Sequence, residues 1–314
     1  MKTQPCNGGL HVFDGNGINM KPLLFDLNQH TELAQKLCIG LNAQAAQYEM
    51  RLFPDGESYI RCLDDVKGRD IYIFSHLHQP NEKILPLLLL ASTLKDLGAN
   101  SVGLIAPYLS YMRQDVRFHE GEGITSRYFA KLLSAHVDWL ITVDPHLHRY
   151  KNLDEIYSIK SQSLTCVKNI ADYIKKNIHN PVIIGPDGES KQWAEKVANE
   201  VGCPFEVLSK HRYGDRDIRI SIPHVENYLG HTPVLVDDII STGKTMILAA
   251  QHLTDAGLPI PTCVAVHGVF AAGSLQEMID QGLQVVTCNS IEHESNQIDL
   301  SQLLCEGVKG LENK

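Results

Sequence analysis

Residues 234–245 read VLVDDIISTGKT, and their order assembles the parts of a site for a phosphorylated sugar. VLV is the apolar run of a buried strand, and it ends on two adjacent carboxylates, Asp237 and Asp238. Neighbouring acids repel, so a ligand or a metal ion should compensate them. An ionised carboxylate only accepts hydrogen bonds, which suits the hydroxyls of a sugar. Ser241, Thr242, Gly243, Lys244 and Thr245 follow and lead into a helix. Hydroxyls, a glycine that lets a ligand approach the backbone and the unpaired N–H groups of a helix start together suit a phosphate monoester. An ordinary helix cap explains one hydroxyl but not two acids and a run of small polar residues as well. The GKT ending does not make a nucleotide P-loop, because Asp238 stands where that motif needs its first glycine.

Such groups must be held by a frame, and the flanking pattern shows which. IYIFS (71–75) reads as a buried strand, followed by a helix over 81–97 that Gly98 closes. The strand SVGLIAPY (101–108), a helix near 126–135 and the strand VDWLITVDPH (137–146) come next. A second cycle begins near residue 161. It has a helix over 163–177, the strand PVIIGPD (181–187), a helix near 190–201 and a strand near Phe205. TPVLVDD (232–238), a helix over 245–257 and TCVAVHGVF (262–270) complete it. Alternating strands and helices predict a mostly parallel sheet flanked by helices in each half. Ligands of such sheets bind beyond the carboxyl ends of the strands. The polar clusters after APY, TVD, IIGPD and VLVDD fall at those points.

A length of 314 residues leaves room for two domains, and 43% hydrophobic residues supply them with cores. The division expected is an irregular extension over 1–20, an N-terminal domain over 21–158 and a C-terminal domain over 159–314. The net charge of -9 argues against a nucleic-acid partner held by a broad basic face. Eight scattered cysteines include no CxxC pair, which fits reduced thiols in a cytoplasmic protein better than zinc or disulfides. The first residues lack the apolar run of a signal peptide. The most apolar stretch, 84–94, is too short to span a bilayer and reads as a buried helix, so no membrane association is expected.

The 234–245 loop resembles the phosphoribosyl diphosphate-binding motif of type I phosphoribosyltransferase folds. Over roughly residues 23–304 the chain is similar to the ribose-phosphate pyrophosphokinase family. The resemblance implies two tandem type I phosphoribosyltransferase domains, with the last fifteen or so residues packing back on the first. It also implies transfer of pyrophosphate from Mg-ATP to the C1 hydroxyl of ribose 5-phosphate, giving 5-phosphoribosyl 1-diphosphate and AMP. ATP would lie in the interdomain cleft, and the protein would be a homo-oligomer, a dimer or a hexamer.

Five segments carry this likeness. RLFPDGESYIR (51–61) by itself is only a turn signal; in the family, Phe53, Asp55, Gly56 and Glu57 would bind ATP, the aromatic ring against adenine. APYLSYMRQDVR (106–117) brings Arg113, Gln114 and Asp115 to the nucleotide, where alone it would pass for a solvated charged loop. VDPHLHRY (143–150) assigns His146 to magnesium. His148 makes an HxH pair with no third ligand at a recognisable spacing, and His76 and His78 read as partly buried loop histidines. IIGPDGESKQW (183–193) supplies Asp187 as a second magnesium residue, with Glu189 and Ser190 where the family has a glycine-rich turn. LSKHRYGDRDIRIS (208–221) supplies Lys210 and Arg212 as the catalytic cations.

Ribose 5-phosphate would be held by Arg212, Asp237, Asp238, Ser241, Thr242, Gly243, Lys244 and Thr245. Lys244 stands where the family loop has a second glycine. Two other functions share part of this set: a phosphoribosyltransferase, and a synthetase-like regulatory subunit with little or no activity.

Overall fold

The computed structural model describes residues 20–28, 31–213, 217–221 and 225–312. The chain forms two compact units, one of residues up to Leu164 together with those from Ser301 onward, the other of Thr165–Leu300.

The first unit begins with β1 (Leu23–Asp26), α1 (Glu32–Gly40), β2 (Gln44–Ala45), β3 (Tyr48–Leu52) and β4 (Ser58–Cys62). It continues with β5 (Asp70–Phe74), α2 (Asn81–Asp96), β6 (Ser101–Ile105), α3 (Thr125–Ser134), β7 (Trp139–Val143) and β8 (Lys160–Leu164). Six strands form one sheet in the order β2-β1-β5-β6-β7-β8, and every neighbouring pair is parallel. β3 and β4 stand apart as an antiparallel hairpin. Covered on both faces, β5, β6 and β7 carry apolar runs in place of alternation, and Ile71, Ile73, Leu104, Leu140 and Ile141 are fully buried.

The 84–94 run forms most of α2, yet it is not buried all round. Leu87, Leu90, Ala91 and Leu94 face the core while Leu85 and Leu89 are exposed. The helix therefore packs one stripe, as a surface helix does. Gly98 follows it with φ +89°, the left-handed turn that closes a helix end.

The second unit holds α4 (Val167–Asn177), β9 (Pro181–Gly185), α5 (Lys191–Val201), β10 (Phe205–Val207), β11 (Ser209–Tyr213) and β12 (Asp217–Ser221). Then come β13 (Thr232–Ile240), α6 (Lys244–Asp255), β14 (Thr262–Gly268), α7 (Ser274–Asp280), β15 (Gln284–Cys288) and β16 (Asn296–Ile298). Its sheet runs β10-β9-β13-β14-β15-β16, and β11–β12 is a separate antiparallel hairpin. Numbered from the start of each unit, the two strand orders are the same, and each hairpin is inserted at the same place. One topology is built twice.

Lys160–Leu164, the start of the second half in the sequence reading, pairs with β7. That pairing makes it the edge strand of the first sheet and shortens the helix expected over 163–177 to Val167–Asn177. The last helix, α8 (Ser301–Glu312), belongs to the first unit and packs on α1 and β8. The Tyr72 hydroxyl on β5 hydrogen-bonds the Glu312 carboxylate near its end. Among the described residues no helix is long and apolar enough to cross a membrane.

Candidate functional site

In the second unit β9 and β13 are parallel neighbours, so their carboxyl ends lie on one edge of the sheet. β13 does not stop at the acids. It runs through Asp237 and Asp238 to Ile240, pairing Asp237 with Ala265 and Ile240 with Gly268. The carboxylates are thus held by a sheet strand instead of a loop. Asp187 follows β9, and its Oδ1 accepts hydrogen bonds from the N–H groups of Glu189 (3.1 Å) and Ser190 (3.3 Å). The Ser190 hydroxyl donates back to the Asp187 carbonyl at 2.7 Å. Glu189 and Ser190, a departure from the family turn, here fasten the acid in place.

Burial, then the charges of Asp238 and Asp187, push the Asp237 carboxyl up to about 8. Removal from water and like charge both disfavour ionisation. A carboxyl so shifted holds a proton that a divalent cation or a hydroxyl donor in its place would favour releasing.

Beyond β13, residues 241–243 turn into α6. Gly243 precedes the first helical residue with φ +71°, and no side chain caps the helix start. Among the described residues no side chain accepts from the leading N–H groups of α6, which is the arrangement an anion fits. The turn is braced from α7: the Ser274 hydroxyl donates to the Ser241 carbonyl at 2.9 Å, and the Ala271 N–H to the same oxygen at 3.0 Å. Thr242 and Lys244 are exposed, Ser241 and Thr245 half-buried. Lys244 begins the first turn of α6 without disturbing it. Neither Ser274 nor the buried Met278 beneath Gly243 carried a local signal, because both reach the loop from more than thirty residues away in sequence.

In the first unit Phe53, Asp55, Gly56 and Glu57 form the exposed tip between β3 and β4. Its turn is closed by the Phe53 N–H to the Glu57 carbonyl at 2.7 Å. The Arg51 guanidinium lies 4.8 Å from the centre of the Phe53 ring and 4.3 Å from that of Tyr59, which orders the aromatic face. After β6, Arg113 is exposed and Gln114 accepts from the Thr125 hydroxyl at 3.0 Å.

Asp115 differs from the expectation of a nucleotide contact. Its side chain is 1% exposed and pairs with Arg149 at 2.8 Å, while the Tyr150 hydroxyl donates to its carbonyl. The residue ties the loop after β6 to the loop after β7. In that second loop Asp144 takes φ +34°, uncommon outside glycine. His146 Nδ1 and His148 Nε2 lie 3.1 Å apart. His76 is buried against Phe74, a packed histidine, and His78 meets the Lys83 ammonium.

Lys210 and Arg212 lie in β11, opposite Ile220 and Ile218 of β12, and their side chains lie outside the described residues.

A family model described as the N-terminal domain of ribose phosphate pyrophosphokinase matches residues 22–136, and a phosphoribosyl transferase domain model matches residues 152–302. The ribose-phosphate pyrophosphokinase of Methanothermobacter thermautotrophicus is 32% identical over 282 residues, 88% of this chain and 96% of that one. That of Saccharolobus solfataricus is also 32% identical, over 83% of this chain and 91% of its own. The chain belongs to the ribose-phosphate pyrophosphokinase family. It is an enzyme of that family, with two tandem phosphoribosyltransferase-type domains. Among solved structures, the phosphoribosylpyrophosphate synthetase of Mycobacterium smegmatis is similar with a TM-score of 0.83 and 25% identity. The similarity covers 94% of this chain and all of that one. The duplicated topology agrees with the two matched models, whose boundary, between residues 136 and 152, precedes the structural division after Leu164.

Proposed function

We propose that the enzyme transfers pyrophosphate from Mg-ATP to ribose 5-phosphate, giving 5-phosphoribosyl 1-diphosphate and AMP. The observation that carries this reading is the β13–α6 junction, where Asp237 and Asp238 lead through a tight turn to a helix start with no side-chain cap. The 5-phosphate accepts hydrogen bonds from the N–H groups and hydroxyls of residues 241–245. Asp237 and Asp238 accept from the ribose hydroxyls. Phe53 stacks on the adenine, and Asp55, Gly56, Glu57, Arg113 and Gln114 hold the nucleotide. Asp115 acts through Arg149 as a positioning residue for the Arg113 loop.

In the reaction the C1 hydroxyl oxygen bonds to the β-phosphorus. The bond from that phosphorus to the bridging oxygen on the α side breaks, and AMP departs with that oxygen. The hydroxyl proton passes to solvent. Lys210 and Arg212 hold the negative charge that gathers on the transferred oxygens. The donors present fit magnesium on one count in particular: the charges of Asp187 and Asp238 bear on Asp237 at one sheet edge, three carboxyl groups whose oxygens a divalent cation would favour in ionised form. Asp187 and His146 would hold the ion, which would supply charge neutralisation at the phosphates. Burial of the Asp237 carboxyl suits a group that gains from a cation or a hydroxyl donor.

The test is product identity. Purified protein, ribose 5-phosphate and Mg-ATP should yield AMP and an acid-labile 1-diphosphate in equal amounts. ADP in place of AMP would mean a simple sugar kinase. No turnover, together with stable association with an active family member, would mean the regulatory subunit.

A further inference from the structure

We propose that His148 is a second metal ligand beside His146, and that the imidazole pair turns this loop toward divalent first-row transition ions over magnesium. The inference rests on the reading above only in giving His146 a metal-binding role.

The geometry comes first. His146 Nδ1 and His148 Nε2 are 3.1 Å apart, and the rings stand at 73° with centroids 3.8 Å apart. Two nitrogens bound to one ion at about 2.1 Å each, and separated by this distance, subtend an angle of about 95° at the ion. That is the angle between adjacent ligands of an octahedron. The pair is close to the spacing of two cis ligands before any ion is bound.

The loop explains how two residues two apart in sequence bring their rings together. β7 ends at Val143, and Asp144 turns the chain with φ +34°. On the far side Arg149 is anchored to buried Asp115 at 2.8 Å, and Tyr150 is buried, its hydroxyl donating to the Asp115 carbonyl. His146 is half-buried and His148 exposed, so the second ring has room to turn its lone pair from its neighbour to a shared ion. The exposed face leaves the remaining coordination positions open to water and phosphate oxygens.

Donor chemistry sets the selectivity. Magnesium is a hard ion that favours oxygen ligands and keeps its waters, whereas imidazole suits zinc, nickel and neighbouring ions. One histidine among oxygen donors is compatible with magnesium. Two adjacent imidazole ligands favour cobalt, nickel or zinc. The competing role for the pair is a hydrogen bond between two neutral rings that does no more than stiffen the loop.

The two roles separate in a metal titration without substrates. Full-length protein stripped with EDTA is titrated with Co2+ and, separately, with Mg2+, by calorimetry and visible absorption, using wild type, His148→Ala, His148→Gln and His146→Ala. Loss of an outer-sphere partner already costs about 10–100-fold in metal affinity, so loss of a ligand should weaken Co2+ binding at least about tenfold. His148→Ala and His148→Gln should both show this loss, with Mg2+ affinity changed far less. Pulsed EPR of the Mn2+-loaded protein should detect two coordinated nitrogens in wild type and one in either His148 variant. Unchanged Co2+ affinity in His148→Gln, a single nitrogen in wild type, or an equal loss for Mg2+ and Co2+ would overturn the proposal. These readouts do not involve turnover. A protein that made ADP would sink the functional reading and leave the metal result standing, and the reverse outcome is equally distinct.

Discussion

Replacing Gly243 by alanine should damage the second unit in a way that the structure resolves into two parts. The residue has φ +71° immediately before α6, a left-handed conformation that costs a residue with a Cβ about 1–2 kcal/mol. A Cβ there would also lie 2.7 Å from Met278 Sδ and 2.9 Å from Met278 Cγ. Met278 is fully buried among Met246, Leu275 and Leu283, so its thioether must move within a filled core. Overpacking of this kind costs about 1–3 kcal/mol, and the two parts together come to roughly 2–5 kcal/mol.

The assay is urea unfolding of the second unit, followed by Trp193 fluorescence in a Trp139→Phe background, since the chain has two tryptophans. With a slope of about 2 kcal/mol per molar urea, the midpoint should fall by about 1–2.5 M. Met278→Ala alone removes buried atoms and costs about 2–5 kcal/mol. In the Gly243→Ala background it should cost about 1–3 kcal/mol less, because the overlap it relieves no longer exists. The backbone part should persist in the double variant. A Gly243→Ala midpoint equal to that of wild type would refute the argument. Strict additivity would leave the left-handed turn as the whole effect and refute the contact with Met278.

Asp237→Asn tests the raised carboxyl by its pH dependence. The folded protein keeps a proton that the unfolded chain releases above about pH 4, so stability from this group is complete below that pH and is lost as pH rises toward about 8. In EDTA, the variant should therefore match wild type near pH 4 and gain on it by up to about 1.4 kcal/mol per pH unit through the window; parallel curves from pH 5 to 8 in urea titrations would contradict this. Asp115→Asn should lower first-unit stability by about 1–3 kcal/mol, because Arg149 is half-exposed and can rehydrate. It should also raise KM for ATP more than that for ribose 5-phosphate in steady-state kinetics. Lys210→Ala should reduce kcat by roughly 100–1,000-fold if it acts as oxyanion donors do, with dissociation constants for both substrates little changed by calorimetry.

Legibility in the sequence followed range of interaction. β13, the acids at its end and the polar run into α6 were readable because strand, turn and helix start are contiguous over twelve residues. IYIFS, SVGLI and WLITV were readable because a doubly covered strand needs an unbroken apolar run. β2 and β16, two and three residues long, carry too little pattern to show. Lys160–Leu164 reads as the approach to a helix because KSQSL is polar, as an edge strand can be. Asp115 looked like a ligand contact because a charged residue in a loop gives no sign of a partner thirty-four positions away at Arg149. The bracing of Ser241 by Ser274 was hidden for the same reason.

The repeated topology separates what the frame supplies from what the strand ends supply. Asp26 and Asp187 occupy corresponding places, after or at the end of the second strand in their sheets. Around Asp26 both oxygens are taken up locally. Oδ1 accepts from the Asn28 N–H and amide, and Oδ2 from the Thr31 N–H and hydroxyl. Thr31 in turn caps α1 through Ala34. That acid organises a helix start. Asp187 is fastened through Oδ1 by two N–H groups, and its charge acts on Asp237 in the adjoining strand. The difference lies in the neighbouring strand: β13 ends in two carboxylates, whereas β5 ends in Phe74 and leads to buried Ser75 and His76. The same frame thus yields a satisfied structural acid in one unit and an electrostatically loaded edge in the other. Since fold alone does not specify function, the proposed chemistry is assigned to residues 237–245 and 187–190, and substitutions there should alter turnover without altering the sheet order that the two units share.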